Sequence, residues 1–149
     1  MNLDTKGRMG MPAKYRERLQ NSCEGEMVVT IDPVNAANEP CLLLYPLPEW
    51  EVIQAKIDRL SSFNAASRKV QRLLVGHADD VMMDSNGRLL LPAALRDFAG
   101  MDKKIVLIGQ GKKFELWDES NWQASRESWL LDTQLDEQTL SAELSELSL

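Results

Sequence analysis

Leu3-Asp4-Thr5-Lys6-Gly7-Arg8-Met9-Gly10-Met11-Pro12-Ala13-Lys14-Tyr15-Arg16 returns, at an offset of 80, as Met83-Asp84-Ser85-Asn86-Gly87-Arg88-Leu89-Leu90-Leu91-Pro92-Ala93-Ala94-Leu95-Arg96. Asp, Gly, Arg, Pro, Ala and the final Arg are identical at matched positions. A second match lies further on: Leu44-Tyr45 followed by Trp50 recurs as Leu116-Trp117 followed by Trp122, at an offset of 72. Order, spacing and residue type agree at both ends, so the chain contains a tandem repeat of one small unit. The two offsets differ by eight, which places an insertion in the first unit. Pro33-Val34-Asn35-Ala36-Ala37-Asn38-Glu39-Pro40 supplies it, and its Pro and Asn content reads as a long hairpin loop.

Working outward, each unit parses alike. Asp-x-x-Gly-Arg is a turn in which Gly7 and Gly87 supply positive φ, and Asn86-Gly87 is a favoured turn pair. A short apolar strand follows, Met9 to Met11 or Leu89 to Leu91. Pro12 or Pro92 then suits the first position of a short helix, where a missing N–H costs nothing. Tyr15 and Leu19, or Leu95 and Ala99, share a face of that helix, and Gly100 caps the second one. Met27-Val28-Val29-Thr30-Ile31 and Ile105-Val106-Leu107-Ile108 read as buried strands. Leu42 to Tyr45 and Phe114 to Trp117 close the units.

These readings divide the chain into a first unit over 1–49, a helical linker over 50–77, a second unit over 78–121 and a helical, acidic tail over 122–149. In the linker Trp50, Ile53, Ile57 and Leu60 recur at helical spacing behind Pro48. Asn64 caps a second helix carrying Arg68, Lys69 and Arg72 on one side, and Gly76 ends it. Units of this size stand near the lower limit for an independent core, with open strand edges. The economical solution is for the two to interleave as an internal pseudo-dimer. The fold class is α+β and β-rich.

The chain has 149 residues, 44% hydrophobic and 27% charged, the balance of a globular domain rather than a disordered segment. No stretch approaches the roughly 20 apolar residues of a membrane span, and no secretory signal is visible, so a cytoplasmic location is expected. Cys23 and Cys41 are too few for a disulfide framework and lack metal-ligand spacing. The net charge of −6 looks wrong for a nucleic-acid binder until its distribution is read. Residues 127–149 hold six acids (Glu127, Asp132, Asp136, Glu137, Glu143 and Glu146) and no Lys or Arg. Taking six from 23 acids leaves 17, which balances the 17 basic residues. Residues 1–18 carry Lys6, Arg8, Lys14, Arg16 and Arg18 against Asp4 and Glu17, a local +3. Local field, not total charge, steers a polyanion.

The tandem Asp-x-x-x-Arg loops resemble the MraZ family of bacterial regulators. So do Leu42-Leu43-Leu44-Tyr45-Pro46-Leu47-Pro48-Glu49-Trp50, Arg72-Leu73-Leu74-Val75-Gly76-His77-Ala78 and Lys113-Phe114-Glu115-Leu116-Trp117. The resemblance covers nearly the whole chain. It implies a SpoVT-AbrB-type fold, a double-split, swapped-hairpin β-barrel with short helices, assembled as a ring-shaped homo-oligomer. It implies a repressor, associated with the nucleoid, that binds short direct repeats of double-stranded DNA upstream of its own division and cell-wall operon. No enzyme activity, cofactor, metal, small-molecule substrate or membrane partner is implied. By motif match Arg8 and Arg88 take the DNA-contacting role, with Asp4 and Asp84 in the same loops; beside the resemblance, the tight turns at Gly7 and Gly87 let backbone N–H groups approach phosphate as well. Two departures stand out. Only Met1-Asn2-Leu3 precede Asp4 where the family has a short strand-forming segment, so the leading strand of the first unit is expected to be curtailed. Asn86 replaces Lys6 in the second loop, so the loops need not bind equally.

Arg is the residue expected where a loop grips phosphate or guanine, because its planar fork donates two parallel hydrogen bonds. The structural alternative is that Asp4–Arg8 and Asp84–Arg88 merely pair across their turns, and both readings can hold at once. Lys6, Lys14, Arg16 and Arg18 are candidates for phosphate contacts; on the helix, Lys14 and Arg18 equally suit a solvated face. Arg68, Lys69 and Arg72 read as solvated or subunit-facing. His77, beside Asp79 and Asp80, has no second nitrogen or thiol at ligand spacing and reads as structural. Trp50, Trp117 and Trp122 read as packing residues rather than base-stacking platforms. Leu140, Leu144 and Leu147 suit a docking helix or a disordered tail. The rival classes are an antitoxin-like interaction protein of the same fold, and a small hydrolase built on His77, Asp79 or Asp80 that lacks a nucleophile motif.

Overall fold

The computed structural model describes residues 1–132 and Glu146; the Leu140, Leu144 and Leu147 reading lies outside them. Strands and helices follow in the order β1 (Arg8–Gly10), α1 (Ala13–Cys23), β2 (Glu26–Ile31), β3 (Leu42–Pro46), α2 (Leu47–Asp58) and α3 (Ala65–Val70). A π-helical turn, Gln71–Val75, leads into β4 (Asp79–Met82), β5 (Arg88–Leu90), α4 (Ala93–Phe98), β6 (Ile105–Gln110), β7 (Lys113–Asp118) and α5 (Glu119–Leu131). The chain is α+β, with two antiparallel sheets: a ribbon β1-β5 and a five-stranded sheet in the order β4-β2-β3-β7-β6.

Three of the five strand pairings run between the two repeats. In the ribbon Met9 faces Leu89, its own repeat counterpart. In the large sheet Leu43 faces Glu115, again counterparts. A local two-fold axis therefore passes through both crossings. Its other consequence is reciprocity: β4 of the second unit pairs with β2 of the first, with Glu26 opposite Met82. The mirrored contact is present at the front of the chain, where Asn2 bridges Lys104 and the Leu3 N–H donates to the Lys103 carbonyl at 2.8 Å. Ahead of Asp4 the chain thus makes isolated bridges rather than a strand, at the position that mirrors the β2–β4 pairing.

Alternation decides what each face buries. Met27, Val29 and Ile31 of β2 and Leu42 and Leu44 of β3 enter one core with Met9, Met11, Leu89, Leu91, Ile105 and Leu116. Val28, Leu43 and Tyr45 point the other way, onto Trp50 and Ile57 of α2 and Leu74 of the π-helical turn. Thr30, fully buried, donates to the Leu74 carbonyl at 2.6 Å and so ties that turn to the sheet. Five of the six residues of β2 are buried as expected. For Ile105–Ile108 the expectation of a buried strand fails beyond Ile105: the next three residues are only half-buried. The cause is position, since β2 is paired on both sides whereas β6 ends the sheet.

Local signals mostly act where the residues place them. The Asn64 side chain accepts from the N–H groups of Ala66 and Ser67, capping α3. Gly100, at φ +62°, follows α4. Pro12 and Pro92 stand one position earlier than expected, at the N-cap, where their carbonyls accept from Tyr15 and Leu95. Pro33–Pro40 lies in the β2–β3 connection. Among the described residues no helix is long and apolar enough to cross a membrane.

Candidate nucleic-acid interface

The two Asp-x-x-x-Arg loops adopt one geometry twice. Asp4 Oδ1 accepts from the N–H groups of Lys6 and Arg8, both at 2.9 Å. Asp84 Oδ1 accepts from Asn86 and Arg88, also at 2.9 Å. The Gly7 and Gly87 N–H groups donate back to the Asp4 and Asp84 carbonyls at 3.0 Å. Asp is needed at the first position because one short carboxylate must reach two backbone donors while its other oxygen stays free. That oxygen takes the arginine: Arg8 Nε lies 2.7 Å from Asp4 Oδ2, and Arg88 Nε lies 3.2 Å from Asp84 Oδ2. The pairing across the turn is therefore real.

Pairing does not consume the guanidinium. Only Nε is engaged, and among the described residues the Nη atoms of Arg8 and Arg88 meet no acceptor. Each carboxylate works as a splint that aims the far end of its arginine outward. The backbone N–H of Arg8 most of all, partly opposed by lost hydration and aided by the Arg8 guanidinium and the Lys6 N–H, lowers the Asp4 carboxyl to about 2. The Arg88 N–H leads the same effect on Asp84. Both splints stay charged at neutral pH.

The ribbon register sets where the two arginines point. Arg8 faces Leu90 and Gly10 faces Arg88, so these four residues share one side, while Met9 and Leu89 are fully buried on the other. From strand rise and spacing, the Arg8 and Arg88 Cα atoms lie roughly 8 Å apart. The side chains are 31% and 37% exposed. Two guanidinium groups thus project from one outward face, on a two-stranded ribbon carried by the core beneath it.

A family model described as "MraZ protein" and "antitoxin-like" matches the chain twice, over residues 1–73 and 74–141. A Serratia proteamaculans protein named transcriptional regulator MraZ is 52% identical over 149 residues, covering 100% of this chain and 95% of that one. Proteins of the same name from Alkalilimnicola ehrlichii and Idiomarina loihiensis are 52% and 59% identical, over 91% and 82% of this chain and 88% and 78% of their own lengths. The chain belongs to the MraZ family.

Within this MraZ-family chain the loops are locked crosswise, which sequence reasoning missed. Arg16, expected as a phosphate contact, donates through Nε to the Met11 carbonyl at 2.6 Å, and its guanidinium lies over Gly87 of the other unit. Arg96 does the same to the Leu91 carbonyl at 3.0 Å and lies over Gly7. A Cβ on Gly7 would stand 2.5 Å from Arg96 Cζ and would displace that guanidinium, and the φ of +86° itself favours glycine there. The available signal was the identity of Arg16 and Arg96 at matched repeat positions.

The remaining candidates separate cleanly. Lys6, in the first loop, is exposed. Lys14 and Arg18 are exposed on α1, and both stand over the Tyr15 ring at 4.9 and 5.5 Å. Arg68, Lys69 and Arg72 are exposed on the helical linker, whose Val70 and Leu74 pack with Val28 and Leu43 rather than in the core that holds Met9 and Leu89 of the ribbon. His77 is exposed, with Nδ1 2.8 Å from the Leu73 carbonyl. Trp50 and Trp117 are buried, and Trp117, Trp122 and Trp129 pack edge to face at 5.7–5.8 Å, a packing cluster. Among the described residues one group has metal-compatible spacing, Asp32, Cys41 and Glu115. Burial above all, with Asp32 and Glu115 nearby, pushes the Cys41 thiol well up; Asp32 Oδ1 accepts from the Val34 N–H and Glu115 Oε1 from the Trp117 Nε1–H.

Proposed function

We propose that this chain is a sequence-specific, DNA-binding transcriptional regulator that presents the β1–β5 ribbon to the major groove. The observation that carries the reading is the pair of splinted arginines on one exposed ribbon face. A major groove about 12 Å wide admits a two-stranded ribbon, and guanine offers O6 and N7 to the end of a guanidinium. With Nε held by Asp4 or Asp84, the Nη atoms are already oriented, so less side-chain freedom is lost on binding. Lys6 and Lys14 add phosphate contacts, each steepening the salt dependence. Relatives named transcriptional regulators across most of the chain support the same reading.

The finer reading is a repressor of its own division and cell-wall operon, cytoplasmic and nucleoid-associated, binding short direct repeats without cofactor or catalysis. Its 1–49 and 78–121 units form the two parts of a SpoVT-AbrB-type split barrel, linked by 50–77 and followed by the 122–149 tail. A ring homo-oligomer would gain affinity through effective concentration when several weak ribbons meet repeated sites on one DNA.

The test is binding of double-stranded DNA from the region upstream of the chain's own gene, with oligomer mass measured in parallel. Arg8→Ala and Arg88→Ala are each expected to weaken specific binding by about 5- to 150-fold, the worth of one bidentate base contact, while mass stays constant. Normal affinity in both variants would remove the ribbon from the account.

A further inference from the structure

The outward face of the ribbon has four positions, and the repeat matches only two of them. Arg8 answers to Arg88, but Leu90 answers to Gly10. Leu90 is 55% exposed, although its neighbours Leu89 and Leu91 are fully buried. Its cross-strand partner is Arg8, so the isobutyl group stands roughly 5 Å from the start of that arginine. An isolated apolar side chain flanked by cations gains nothing from the chain's own core.

The opposite position is empty without any packing reason. A Cβ on Gly10 would meet only Arg16 Nη2, at 3.9 Å, and Gly10 is not among the glycines with positive φ. Packing and backbone geometry therefore leave room for a side chain on both halves of the ribbon, and the sequence places one on a single half. The difference concerns what the face meets, not how it is built.

Resting on the reading of this ribbon as the DNA-facing surface, we propose that Leu90 is a specificity-determining residue that packs on the 5-methyl group of a thymine. That methyl is the one apolar group on the major-groove edges of the bases, and an apolar side chain is what reads it. Arg8 directly opposite it and Arg88 two residues away on its own strand supply the polar contacts. With Leu90 on one half and Gly10 on the other, a nearly two-fold ribbon acquires a direction. A fully symmetric reader favours inverted sites; this one distinguishes a half-site from its reverse, which suits sites repeated in one orientation.

The experiment uses the full chain and the upstream double-stranded fragment, with each thymine replaced singly by deoxyuridine, which removes only the methyl. The wild-type chain is expected to lose about fourfold in affinity at one thymine in each bound repeat, the worth of one buried methyl group. Leu90→Ala is expected to bind more weakly and to be indifferent at that position, with unchanged mass. Wild-type indifference to every deoxyuridine, with steeply salt-dependent binding retained, overturns the role of Leu90 and leaves the regulator reading standing. Failure of the wild-type chain to bind the fragment at all overturns both. A Leu90→Ala chain of lower oligomer mass that keeps its thymine sensitivity would make Leu90 a subunit contact and overturn the inference.

Discussion

Gly7 and Gly87 carry two demands at once, and separating them is the sharpest test of the loop geometry. Gly7→Ala meets both a left-handed φ and the Arg96 guanidinium, so a loss of about 1–3 kcal/mol is expected in denaturant unfolding. Combining it with Arg96→Ala should recover the steric part and leave the conformational part; full recovery would mean the backbone strain is negligible. The carboxylate splints make a separate prediction. Asp4 is lowered to about 2 from an ordinary 3.8, so its stabilisation is complete above the ordinary value and disappears as pH falls through about 2. Asp84 follows in the same direction. Carboxyl NMR titration of the free chain should find Asp4 near 2, and the loops intact from pH 5 to neutrality; a value near 4 would show that the N–H contacts are not kept in solution. The loop residues were legible because Asp, Gly and Arg each have a narrow set of uses in a tight turn. The crosswise roles of Arg16 and Arg96 were not, because they depend on which unit lies over which, and no local pattern states that.

At the level of elements, the ribbon is only three residues wide on each strand, too short to stand alone. It is held by its inner face. Leu89→Ala removes a fully buried side chain and should cost about 2–5 kcal/mol, whereas Leu90→Ala on the outer face should stay within about 0.5 kcal/mol. Urea unfolding of the two variants reads this contrast, and equal losses would mean the ribbon is turned over. The element sequence was readable from apolar runs, Pro, Asn and Gly. Register was not. Alternation gives a strand two faces but does not name its neighbour, which is why β6 was expected to be as buried as β2. The partner on its other side, rather than its own composition, decides that difference.

For the whole molecule, the repeat offsets announced two units, and the small size of each argued for interleaving. The strand pairs bear this out: β1 with β5, β2 with β4 and β3 with β7 each join different units. A fragment ending at residue 77 therefore lacks every one of those partners. It is expected to be unfolded, or to fold only as a pair of fragments, by sedimentation and circular dichroism; a folded monomer would contradict the interleaved topology. The two crossings at which a residue meets its own counterpart, Met9 with Leu89 and Leu43 with Glu115, are the self-contacts that two separate half-length peptides would make. Fusion into one polypeptide turns an association step into an intramolecular one, so this architecture forms at any dilution. It also releases each half from having to suit its twin, and a substitution on one side no longer appears on the other.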